Sequence, residues 1–86
     1  MKYIVFKKFQ SYHPVIFADH TTHAEIKMKG GQEVSAGFFR LGIANTIKTF
    51  GESESLKLKP HARDARLLEK VLWGEGTAAF LDYINE

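Results

Sequence analysis

The residues with the most chemical potential fall in two short stretches. Asp19, His20 and His23 put one carboxylate and two imidazoles within five positions. Two histidines three apart beside an acid can ligate zinc or another transition metal. A further ligand would have to come from His13 or His61, because the chain has no cysteine. The competing and preferred reading is local: Asp19 helps cap a helix and the imidazoles are surface groups. No metal and no cofactor is therefore expected. The second stretch, Ser53, Ser55, His61 and Asp64, holds the residue types of a hydrolytic triad. A triad is defined by geometry, and no nucleophile-elbow pattern surrounds either serine. Asp64 lies close to the apolar side of the helix expected there. Near a helix start it favours the positive end of the dipole, or accepts hydrogen bonds from the adjoining loop. Its expected role is structural. Gly51 to Ser55 has two acids and no lysine in a phosphate-cradling pattern, which argues against a nucleotide loop. No catalytic residue is nominated, and the chain is expected not to be an enzyme.

Binding chemistry is better represented. On a helix advancing 100° per residue, Arg63, Arg66, Lys70 and Trp73 fall within about 80° of one another, away from Leu67, Leu68, Val71 and Leu72. Arg and Trp are enriched at binding hot spots. One reading is a basic stripe that docks on a carboxylate- or phosphate-rich surface. The other is a solvated outer face, with Asp64 and Glu69 as counter-ions and Trp73 folded under a C-terminal helix. Separately, Phe9, Tyr12 and Phe38 or Phe39, with Lys7 and Lys8, have the composition of a stacking platform for single-stranded nucleic acid. Strand aromatics in so small a domain more often belong to the core.

These residues need a scaffold, and the longest strand-like segment, Gln32 to Gly51, is its centre. A turn near Gly42, or alternatively at Asn45-Thr46, folds it into a hairpin. Gly37 marks a bulge or a close backbone approach. Phe38 and Phe39 point one ring to each face of a pleated sheet. Lys2 to Phe9 and Pro14 to Ala18 read as two further strands, separated by a polar break. Pro14 sits at a strand's first residue, where a missing donor does least harm. Thr22 and Glu25 have capping-box spacing, which predicts a short helix from Thr22 to Lys29 that ends at Gly30-Gly31. Leu56 to Lys59 reads as an extended connector whose lysines shield a sheet edge. Pro60 opens the main helix, His61 to Trp73, with Ala65, Leu67, Leu68, Val71 and Leu72 as its apolar face. A short terminal helix follows from Ala78 to Ile84, capped by Thr77. The fold class is thus α+β in ββαββα order: a four-stranded antiparallel sheet with helices on one face and a short C-terminal helix.

The 86 residues form one compact domain over residues 1–86, with an apolar content of 44%. The absence of cysteine excludes disulfides and thiolate zinc sites. A net charge of +2 is low for a dedicated nucleic-acid binder. No apolar run approaches the ~18 residues of a membrane span, and the apolar stretch in Met1 to Phe9 is too short for a signal-peptide core. A cytoplasmic location is expected. An unprotected edge on the first or last strand would favour homodimerisation or strand addition to a partner.

Met1 to Phe6 (MKYIVF), Pro14 to Phe17, Asp19-His20, Val34 to Leu41 (VSAGFFRL), Gly51 to Lys59 (GESESLKLK) and Ala62 to Leu72 (ARDARLLEKVL) together resemble a family of small uncharacterised phage and prophage proteins. The resemblance covers about residues 1–72 and carries no assigned catalytic residues. It implies an accessory phage product working in a bacterial cytoplasm. Such proteins act as non-enzymatic modulators or inhibitors of a host protein, including bacterial defence complexes such as CRISPR or restriction systems. The expected partner surface is Arg63, Arg66, Lys70 and Trp73. The alternative expectation is a small nucleic-acid-binding regulatory protein.

Overall fold

The computed structural model describes residues 1–73, and the expected helix from Ala78 to Ile84 lies outside them. Four strands, β1 (Lys2–Lys8), β2 (Ser11–Phe17), β3 (Gln32–Leu41) and β4 (Ile47–Phe50), form one antiparallel sheet in the order β2-β1-β3-β4. One α-helix, α1 (Asp64–Trp73), follows. The α+β class and the four-stranded antiparallel sheet are as expected.

β1 is a central strand, and its composition explains why. Tyr3 and Val5 turn to one face, Ile4 and Phe6 to the other, and all four are buried. A strand covered on both sides reads as a continuous apolar run rather than an alternation. The sheet edges are therefore β2 and β4, not the first strand. Pro14 lies in the middle of β2, opposite Val5, and not at a strand start. An edge strand tolerates the missing donor because only one side of it is paired. The break expected from Gln10 to His13 shrinks to the two residues Phe9-Gln10, since Lys8 pairs with Ser11.

The two faces have different covers. Tyr3, Val5, Phe39, Ile47 and Leu68 make one cluster, with Ile16, Val34, Ala65 and Leu67 packed on it, so α1 lies on this face. Ile4, Phe6 and Ala36 make the other, beneath Val15, Phe17, Ile26, Met28, Leu56 and Leu58. Two irregular segments therefore cover the second face. The helix expected from Thr22 to Lys29 is a single 3₁₀ turn, His23–Glu25, whose cap residue Thr22 makes no side-chain cap bond. Burial alternates beyond it: Ala24, Ile26 and Met28 are half-buried while Glu25, Lys27 and Lys29 are exposed. A helix would set Ile26 and Met28 about 200° apart, whereas extended backbone sends both to the sheet. The ββαββα order fails at this point, and the His23 turn lies on the face opposite α1.

α1 also begins later than Pro60 suggested. Pro60 instead packs on Gly37, where an added Cβ would come 2.8 Å from the Pro60 ring and 3.0 Å from the Phe50 carbonyl oxygen. Gly37 is thus a close approach, and the bulge lies elsewhere, where the β1–β3 register slips between Val5 and Phe6. Beyond the end of β4, the Lys59 carbonyl accepts from Ala36 N–H at 3.4 Å and extends the ladder. Leu56 and Leu58 pack on the core while Lys57 and Lys59 stay exposed, and the segment turns at Lys57, φ 57°, rather than running extended. The Gly42 turn is as expected: the Gly42 N–H donates to the Thr46 carbonyl, with Ala44 and Asn45 at positive φ.

Candidate binding surface

Among the described residues, a group of buried polar contacts centres on Asp64. Asp64, fully buried at the first turn of α1, accepts from Tyr3 Oη–H at 2.7 Å, Ser35 Oγ–H at 2.9 Å and His61 N–H at 2.8 Å. It ties the helix start to β1, β3 and the preceding loop. Burial, then the hydrogen bond to Asp64 and its charge, push the Tyr3 hydroxyl far above its ordinary range, although Arg63 and Thr49 act in the opposite sense.

The triad types do not assemble. Asp64 bonds the His61 backbone, while His61 Nδ1 accepts from Arg63 N–H at 3.1 Å. Ser53 is buried within its loop, where its oxygen accepts from Leu56 N–H at 3.2 Å. The histidine cluster is likewise dispersed. Asp19 faces the N-terminal amine at 3.1 Å. His23, expected at the surface, is buried edge-on between Phe17 and Phe38, and its Nε2–H donates to the Gly37 carbonyl at 3.0 Å. Among the described residues no group of three or more His, Asp or Glu side chains converges on a metal-sized point. A concavity of about 560 Å³ is lined by Lys2, Thr22, His23, Phe38, Glu52, Glu54 and Ser55. Lys2 there already donates to the Thr21 carbonyl at 2.9 Å.

The four residues of the nominated stripe separate along α1. Arg63 precedes the helix and turns inward, its guanidinium 4.3 Å from the Tyr12 ring centre and its Nε 3.9 Å from Asp64 Oδ1. Arg66 and Lys70 are exposed, and Trp73 is half-buried. Trp73 walls an apolar groove of about 290 Å³ with Met1, Ile16, Phe39, Leu41 and Leu72, and Arg40 lies at its margin. Met1, Leu41, Val71 and Leu72 stay substantially exposed, so the apolar side of α1 is only partly used by the core. The sequence reading missed Met1, Leu41 and Leu72 as surface groups. A signal existed: Leu41 and Ile43 flank Gly42 at a hairpin tip, where polar residues are the rule.

The candidate stacking residues also separate. Phe39 is core, and Phe38 is stacked on Phe50 at 5.7 Å between centroids. Phe9 and Tyr12 remain at the surface, with Lys8 6.0 Å from the Phe9 ring and Lys7 5.7 Å from the Tyr12 ring. No family model, no curated protein and no solved structure matches the chain.

Proposed function

We propose that this chain is a small non-enzymatic binding protein that acts by occupying a surface of another protein. The observation that carries the reading is the groove at the C-terminal end of α1. Large apolar groups, Trp73, Leu72, Leu41 and Met1, stand together there, with Arg40 at the margin and Lys70 one helical turn away. Soluble proteins seldom leave such a group exposed without use. An apolar centre with a charged rim is the anatomy of a protein interface, and Trp and Arg are its usual anchors. The cations favour a partner with carboxylates around an apolar patch and speed its approach. Inhibition of a host complex by a phage-encoded accessory protein in a bacterial cytoplasm is the context we propose for that contact.

The structure selects the variants for the test. Arg63 is packed on Tyr12 beside a buried carboxylate, so a glutamate there would disturb the fold. Arg66→Glu with Lys70→Glu changes exposed positions, and Trp73→Ala removes the anchor. Affinity capture from a bacterial lysate, followed by titration with the purified partner, should give saturable binding to the native chain. Each variant should weaken it at least tenfold, with the charge pair still unfolding cooperatively. A partner retained in full by both variants would remove this surface from consideration.

A further inference from the structure

A second surface, at the β1–β2 hairpin tip, has a separate chemistry. Phe9 occupies the first position of its two-residue turn at φ 58° and is 87% exposed. That backbone region suits Gly or Asn, and a bulky aromatic there is strained. Among the described residues the ring enters neither core cluster. Strain retained at an exposed position points to use of the side chain.

The surroundings say what kind of use. Lys8 lies 6.0 Å from the Phe9 ring centre. Tyr12, 39% exposed, has Lys7 at 5.7 Å and the Arg63 guanidinium at 4.3 Å. Arg63 Nε is buried without a hydrogen-bond partner, so the side chain's 26% exposure belongs to its other atoms. Gln32 and Glu33 are the β3 residues opposite Lys7 and Phe6, and Asp64 is fully buried. By register Glu33 lies opposite Phe6, and Asp64 stands 3.9 Å from Arg63 Nε, two carboxylates against three cations.

We propose that this tip binds single-stranded nucleic acid, a base stacking on Phe9 while Lys7, Lys8 and Arg63 neutralise adjacent phosphates. Stacking needs one ring per base and tolerates any sequence. A bilayer would need more apolar area than one phenyl ring provides. This site is independent of the protein-binding groove.

The test is fluorescence anisotropy with a short labelled oligothymidine and the full chain. Three neutralised phosphates give a salt slope of about −2, so binding should weaken roughly twentyfold between about 50 and 200 mM salt. Phe9→Gly keeps the turn, because glycine accepts the positive φ, and should weaken binding about tenfold. Lys7→Gln with Lys8→Gln should reduce the slope by about 1.4. Absence of binding at the lower salt would overturn the proposal, as would wild-type affinity in Phe9→Gly. So would Phe9-dependent binding to phosphatidylserine vesicles without binding to the oligonucleotide.

Discussion

Tyr3 and Asp64 show what a single pair can contribute. The Tyr3 hydroxyl and the Asp64 carboxylate are both buried and bonded at 2.7 Å. In the unfolded chain Tyr3 loses its proton near its ordinary value of 10.0, while in the fold it holds it well beyond that. Above that pH the unfolded state binds fewer protons, so stability falls as pH rises. The slope approaches about 1.4 kcal/mol per pH unit from this group, and the contribution is complete below about pH 9. Urea unfolding across that range should show the decline in the native chain and a shallower one in Tyr3→Phe. At neutral pH Tyr3→Phe should cost about 1–2 kcal/mol, because Ser35 and His61 still serve the carboxylate. Asp64→Ala leaves three donors without their acceptor and should cost about 3–5 kcal/mol in the same assay. Phe9→Gly should move the other way. It relieves a positive φ and should stabilise by up to about 1 kcal/mol, a gain that Phe9→Ala would not give.

At the scale of elements, the segment from Thr22 to Lys29 is the sharpest test of how this chain folds. If Ile26 and Met28 both reach the sheet, as alternating burial requires, Ile26→Ala and Met28→Ala should each destabilise by roughly 1–3 kcal/mol. A helical segment would bury one and spare the other, so a single silent variant would contradict the extended path. Gly37→Ala should also destabilise, by about 1–3 kcal/mol, and Pro60→Ala should restore only part of this, because the Phe50 carbonyl is backbone and cannot yield. These elements also show what local pattern reveals. β1 was legible because four consecutive buried residues need strand geometry, and Phe38 and Phe39 because neighbours on a strand face apart. Thr22 to Lys29 was not, because capping-box spacing and a period-two burial compete in the same eight residues. Pro60 misled for a similar reason: its ring suits a helix start, yet it packs across the sheet on Gly37. The stripe from Arg63 to Trp73 was legible as a set of positions. The Tyr12–Arg63 contact was not, since its partners lie 51 positions apart and meet only when β2 and α1 pack on the same sheet.

For the molecule as a whole, the two surfaces proposed for binding lie at opposite ends of one short helix. Arg63 stands just before α1, against Tyr12 and the hairpin, and Trp73 closes the far end at the apolar groove. A ten-residue helix spans about 15 Å, beyond the distance over which substitutions usually couple. The rigid connection between the ends is the sheet face under Leu68 and the Asp64 network, which neither surface needs to disturb. Phe9→Gly and Trp73→Ala should therefore add in stability to within about 0.5 kcal/mol. Their effects on binding should not cross: the first should lower oligonucleotide affinity and leave the protein partner unaffected, and the second should do the reverse. Salt separates the ends as well. Phosphate neutralisation at the tip would make affinity fall steeply with ionic strength, whereas an apolar groove with a cationic rim would lose mainly association rate. If Trp73→Ala lowers oligonucleotide affinity as much as Phe9→Gly does, the two ends form one continuous interface, and the division of labour along α1 fails.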